Sequence, residues 1–339
     1  MPVREPPLAS ARALGLLLAL AALALVCVAS LAVGSRSIAP ATVVEAFTDS
    51  DGGNQEHFIV RELRAPRTMI GLMVGVALGL AGALLQGLTR NPLGDPGILG
   101  ISAGAALAAA VAVLLFGVSS VYAYIWFAFA GAAVVGVAVY TLGSLGRDGA
   151  TPVKLALAGA ALTALLTSLT SLILLVDVST LNALRFWLVG SLAGRGGGVA
   201  VQVWPFIAAG TVAALASARV LNALSLGDDV ARSLGVRLGG ARALAGGAAI
   251  VLTGAATAAA GPIVFVGLAI PHVARAIAGP DYRWVLLYSA VLAPVLVLGA
   301  DVIGRLVAGT GEMQVGIVTA LIGAPFFVAL VRRRKLAEL

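Results

Sequence analysis

The chain has 339 residues, 60% of them hydrophobic and only 11% charged, with a formal charge of +7 and a mean hydropathy of +1.05. Soluble domains run at about 45–50% apolar and about 25% charged, so this composition excludes a soluble globular fold and predicts an integral membrane protein. Its long Ala/Leu/Val/Gly runs lack the ~10-residue alternation of a membrane β-barrel, and its basic residues are scattered through short connections instead of forming a nucleic-acid-binding patch.

Residues 97–146 contain no charge at all, whereas a membrane helix needs only ~20 apolar residues. Dividing the apolar runs at charges, Pro and Gly predicts ten spans, at 13–33, 68–88, 98–116, 122–145, 155–176, 199–218, 243–260, 263–278, 284–300 and 315–331. The fold class expected is an all-α membrane protein forming a single transmembrane unit over 1–339.

The first span follows Arg4 and Arg12 and exceeds the ~7–15-residue apolar core of a signal peptide, so it is read as a retained helix. Cys27 lies inside it as the one cysteine, which rules out a disulfide framework or a thiolate metal cluster. Residues 35–66 form the longest outer segment, read as a loop whose turn is marked by Asp51, Gly52, Gly53 and Asn54. In the second span Gly71, Gly75 and Gly79 recur every fourth residue and share one helical face, which lets another helix approach closely.

Between the sixth and seventh spans, Arg219 to Arg242 reads RVLNALSLGDDVARSLGVRLGGAR. It is too polar to cross a bilayer and too leucine-rich for a disordered linker. Leu224, Leu226, Val230 and Leu234 suggest a narrow apolar stripe on a pair of short surface helices. The eighth span is the weakest, being short and carrying Pro271, His272 and Arg275 towards one end.

An even number of spans puts both termini on one side. With the N-terminus inside, fifteen Lys and Arg fall on the cytoplasmic side and seven outside, so the positive-inside rule favours N-in and C-in. Arg219 to Arg242 then faces the cytoplasm, where membrane lipid is an alternative partner for its arginines.

The middles of the predicted spans hold no ionisable group, which argues against an ion-coupled secondary carrier and against a membrane-embedded enzyme. The two histidines, His57 and His272, are too far apart in sequence to suggest a metal site, and no catalytic residue is predicted. A phosphate-binding loop needs Lys followed by Ser or Thr, but Lys154 precedes Leu155 and Lys335 precedes Leu336. If ATP drives this protein, another chain hydrolyses it.

Four further stretches stand out: RELRAPR at 61–67, RNPLGDPGILGISAGA at 90–105, GPIVFVGLAIPHVAR at 261–275 and GEMQVGIVTALIGAPFF at 311–327. Together with Arg219 to Arg242, they resemble the FecCD family of ABC-importer permeases, the membrane subunits for iron–siderophore, haem and cobalamin uptake. The resemblance runs from about residue 55 to the C-terminus. It implies a type II importer permease in the bacterial plasma membrane, working with a second permease subunit, two ATPase subunits that bind ATP and Mg, and an external substrate-binding protein. Iron–siderophore is the cargo expected, with haem or cobalamin on the same machinery as the alternative.

The resemblance assigns Arg64, Arg67 and Arg305 to docking of the binding protein, and an Arg fork suits carboxylates. Asp301, four residues before Arg305, is a local alternative partner. The resemblance places Leu226, Gly227, Asp228, Asp229, Ala231, Arg232, Leu234 and Gly235 in the ATPase-coupling core. It places Asn91, Pro92, Thr163, Thr167, Ser168, Ser171 and Thr319 beside the translocation path. Thr151 and Pro152 match the position of a cytoplasmic gate, although Pro152 departs from the small hydroxyl residue expected there.

Overall fold

In the computed structural model, residues 9–34, 36–49, 53–118, 120–145, 152–308 and 311–333 are described. Every regular element among them is helical. In chain order these are α1 (Ala9–Ala32), α2 (Pro40–Thr48), α3 (Gln55–Phe58), a π-helical turn (Ile59–Arg64) that runs directly into α4 (Ala65–Thr89), a 3₁₀ turn (Pro96–Leu99) and α5 (Ile101–Phe116). They continue with α6 (Val121–Ser144), α7 (Pro152–Val176), α8 (Val178–Leu188), α9 (Gly197–Ala216), α10 (Ala218–Ser225) and α11 (Asp228–Ser233). The last are α12 (Leu238–Ala260), α13 (Val266–Ala278), α14 (Tyr282–Val307) and α15 (Val315–Arg333).

Each predicted span coincides with one of these helices. Among the described residues seven are long and apolar enough to cross a membrane, and Ile101–Phe116, Val266–Ala278 and Val315–Ala329 are shorter apolar helices.

The chain is built around α4, which packs against α9, α12, α13 and α14. Its glycines make that possible. A Cβ at Gly75 would run into the backbone of Pro294 on α14, and one at Gly79 would lie 2.5 Å from the Ser289 carbonyl oxygen. The four-residue glycine spacing is thus the seam along which α14 lies on α4, with Pro294 inside α14 pressed against the missing side chain.

Helices α1 and α7 are the reverse case: in each only 11% of the most apolar stretch is buried. Leu17, Leu25, Leu165 and Leu172 stand exposed on them. In water such a surface would drive association, whereas beside lipid tails it costs nothing.

Three parts of the fold differ from the sequence reading. The described part of 35–66 is largely helical: Pro40 starts α2 at a position where a missing N–H is harmless, and the Asn54 side chain accepts from Glu56 N at 2.9 Å to cap α3. The turn contains Gly53; Asp51 and Gly52 lie outside the described residues. Helix α8 was not foreseen, although Asp177 caps it by accepting from Thr180 N at 2.8 Å. The ninth span extends from 300 to Val307, carrying Asp301 and Arg305 inside its last turns.

The end of α8 is laced to two distant elements. Trp187 Nε1 donates to the Ala258 carbonyl at 3.2 Å, Ser191 N donates to Ala260 O at 2.7 Å, and Gly316 N donates to Gly190 O at 3.0 Å. These bonds join α8 to the end of α12 and the start of α15, beside Leu188 and Pro262, which line the cavity described next.

Candidate functional site

Three places hold the residues singled out from the sequence. The first is a cavity of about 770 Å³ between α5, α7, α12, α13 and the segment that follows α4. Thr163, Thr167 and Ser171 line it from α7 together with Thr170, and Ser102 and Thr253 line it from α5 and α12. The rest of the wall is mostly Ala, Leu, Gly and Pro.

The hydroxyls are less available than their number suggests. Thr163 Oγ1 donates to Gly159 O at 2.7 Å and Thr170 Oγ1 to Leu166 O at 2.8 Å, so both give their protons to their own helix. What they offer the cavity is oxygen lone pairs. Thr253 is 1% exposed with no partner for its Oγ1, and Thr167 and Ser171 also present hydroxyls to the cavity.

Among the described lining residues Asp95 alone carries a charge. Its Oδ1 accepts from Gly97 N at 2.7 Å and caps the 3₁₀ turn. Asp95 was missed as a site residue. Its signal in the sequence was that it is the one acid between Glu62 and Asp148.

The other path residues lie off this wall. Asn91 borders a separate small recess with Leu85, Thr89 and Leu155, where its Oδ1 accepts from Leu93 N at 2.9 Å. Pro92 follows it in the same turn. Ser168 is exposed and donates to Ala164 O at 2.8 Å. Thr319 is buried and donates to Gly316 O at 3.1 Å. Of the gate residues, Pro152 opens α7 and Thr151 lies outside the described residues.

The second place is the end of the molecule formed by α10, α11 and the ends of α4 and α14. Helix α10 belongs to the body: Leu221 and Leu224 are buried, Asn222 Nδ2 donates to Asp281 Oδ1 at 2.7 Å, and Asn222 Oδ1 accepts from Tyr282 N at 2.8 Å. Helix α11 is attached far more lightly. Ala231 is buried beneath it, while Leu226, Val230 and Leu234 are 63%, 44% and 63% exposed.

The apolar stripe expected over Leu224 to Leu234 is therefore corrected. The chain breaks at Leu226–Gly227 between two helices, so Leu224 faces the body and the other three face outwards. Gly227 (φ 109°) and Gly235 (φ 82°) bracket α11 in a region that other residues rarely enter. Asp229 pairs with Arg232 on the exposed side at 2.7 Å. Asp228 turns inwards to Arg242 at 2.7 Å and to Arg90.

The third place is the opposite end. Arg64, Arg67 and Arg305 come together there, and all three are engaged within the chain. Arg64 is 7% exposed; it donates to Leu31 O at 2.7 Å and to Arg36 O. Arg305 is 6% exposed; it donates to Ser30 O at 3.0 Å and Val33 O at 2.9 Å, and it pairs with Asp301 at 3.2 Å. Arg67 shares Asp301 at 2.9 Å and reaches Glu312 at 2.7 Å. Asp301 is thus a local partner of Arg305, and of Arg67 as well. Ser30 and Thr68 complete the network with a buried hydroxyl pair at 2.7 Å.

Residues 22–333 match the FecCD transport family. The chain is 46% identical over 306 residues to the ferric enterobactin transport system permease protein of Escherichia coli, covering 90% of this chain and 91% of that one. It is 43% identical over 281 residues to the Fe(3+)-citrate import system permease protein of Bacillus subtilis, covering 83% of each. Among solved structures, an inward-facing conformation of a metal-chelate type ABC transporter superposes with a TM-score of 0.82 at 28% identity, over 94% of this chain and 99% of that one.

Proposed function

The chain belongs to the FecCD transport family, a family of transport permease subunits and not of enzymes, and from that premise we propose that it is the membrane-spanning subunit of an ATP-driven importer that admits a ferric siderophore into the bacterial cell. The observation that carries this reading is the cavity. Its volume of about 770 Å³ falls within the ~300–1,000 Å³ of sites that take drug-sized ligands. Its wall offers apolar surface and weak acceptors, which suits cargo that must pass without being held.

The machinery around it is assigned as follows. Two ATPase subunits supply the hydrolysis, and Leu226, Val230 and Leu234 on and beside α11 enter the surface of one of them, a role in keeping with apolar side chains left exposed on an otherwise polar segment. A second permease subunit, identical or related, completes the passage against the exposed face of α7. Both termini lie in the cytoplasm.

The external binding protein docks at the end carrying Arg64, Arg67 and Arg305. Arg67 is the member whose partner is exchangeable, since Glu312 is 46% exposed. Arg64 and Arg305 are held by backbone carbonyls and keep that surface in shape.

Reconstitution in proteoliposomes tests this reading. The expected result is uptake of a radiolabelled ferric siderophore that needs this chain, its ATPase, its binding protein and ATP. Uptake that persists without ATP and collapses with an ionophore would establish a secondary carrier instead. Binding of haem or cobalamin by the partner binding protein, with no ferric siderophore bound, would replace the cargo and leave the machinery intact.

A further inference from the structure

The ATPase-docking segment and the cavity are at different places in the chain, and a single carboxylate joins them. Asp228, the first residue of α11, receives Arg242 Nη2 on Oδ2 at 2.7 Å and Arg90 Nη2 on Oδ1. Arg242 belongs to the first turns of α12. Arg90 ends α4, with its backbone in the left-handed region at φ 49°.

A non-glycine residue holds that conformation only where its surroundings fix it. Two contacts fix it: Arg90 N donates to Gly87 O at 3.4 Å, and the side chain is bonded to Asp228. Directly after Arg90 come two tight turns: Gly94 N donates to Asn91 O at 2.9 Å, and Asp95 caps the 3₁₀ turn. Asp95, Pro96 and Gly97 are cavity wall. From the docking segment to the wall there are therefore one ion pair and five residues of ordered chain.

We propose that the Arg90–Asp228–Arg242 link is the mechanical connection by which movement of α11 is passed to the cavity wall at Asp95–Gly97, with Arg90 as its positioning residue. The inference rests on the reading of Arg219 to Arg242 as the ATPase-docking segment. Alternative connections are poor. Helix α10 is tied to Asp281 and Tyr282 at the start of α14, on the far side of the break at Gly227, and Ala231 buried beneath α11 gives packing but no polar bond. Pairs this exposed contribute little to stability, so the role of the link is geometric. Partial desolvation pushes the Asp228 carboxyl up, but Arg242 and Arg90 hold it below the usual carboxylate range. Because that depressed value keeps the group charged down through the ordinary carboxylate range, the link is present at neutral pH.

The test uses the complete transporter in proteoliposomes, reading ATP hydrolysis and ferric-siderophore uptake from the same vesicles. Arg90→Gln is expected to lower uptake per ATP by about 3- to 30-fold, the range in which coupling residues act, while hydrolysis continues. Arg90→Lys, which keeps the charge, is expected to recover most of it. An unchanged ratio in Arg90→Gln overturns the proposal, as does a parallel loss of hydrolysis and uptake in a fully assembled complex. Should Arg90→Gln reduce assembly, Arg242→Gln removes the other arm and is expected to lower the same ratio less steeply; no change there overturns the link. A wild-type complex that hydrolyses ATP without importing the ferric siderophore counts against the cargo reading, whereas a wild-type complex that couples normally while Arg90→Gln couples equally well counts against this link alone.

Discussion

The two ends of the molecule use arginine in opposite ways. At one end Arg64, Arg67 and Arg305 are sunk among carbonyls and carboxylates, with Asp301, 1% exposed, shared between two of them. At the other, Arg90, Arg232 and Arg242 are between 29% and 59% exposed and meet single carboxylates on a short helix bracketed by glycines. A buried charge deprived of its partner is strongly destabilising, whereas an exposed pair is worth about 0–1 kcal/mol. The first end is therefore built to hold its shape, and the second to let a small element move without unfolding anything.

The sharpest way to break that contrast is at Asp301. Asp301→Ala leaves Arg67 and Arg305 without their common carboxylate and is expected to cost about 3–5 kcal/mol, read as a lowered melting temperature in detergent. Asp228→Ala is expected to cost under about 1 kcal/mol on the same measurement. Equal losses would end the distinction between the two ends.

Gly235→Pro comes next, and its effect falls on function. Proline cannot adopt φ 82°, so α11 is forced out of place; uptake is expected to fall roughly tenfold, with normal membrane insertion on a blot. Leu234→Asp, on the same outward face, is expected to act in the same direction.

A smaller effect belongs to Ser30→Ala, which removes a buried partner of Thr68 and Arg305 and should cost about 1 kcal/mol in the same melt. The smallest concerns Glu312→Gln. It changes stability by under about 1 kcal/mol but frees one edge of Arg67, so binding-protein association measured at low salt should tighten. Arg67→Glu should weaken that association, and more so as salt is lowered.

Much of the helical layout was legible because membrane helices are long apolar runs and the runs here are cleanly separated. The glycine face of α4 was legible too, since a repeat of four is a face whatever it meets. What failed did so where information came from far along the chain. Arg67 and Asp301 are 234 residues apart in sequence, and no local pattern indicates that they touch. The stripe at Leu224 to Leu234 misled because helical periodicity was carried across a break at Gly227 that resets the axis. Helix α8 was short enough to be hidden between larger apolar runs, although the Asp177 cap marked its start. In the cavity, Thr163, Thr167 and Ser171 on α7 were indicated by the family resemblance, whereas Ser102, Thr253 and Asp95 each stand alone in their own segments and only the fold assembles them.

The self-bonded threonines of the cavity wall have one more consequence. A passage through an energised membrane must not let hydrogen ions leak, and a ladder of hydroxyls handing protons to one another would be a ready conductor. Thr163 and Thr170 turn their protons back to Gly159 and Leu166 on their own helix. On the proposed function, two rungs of such a ladder on α7 are thereby closed, while Thr167 and Ser171 keep the wall polar enough to wet.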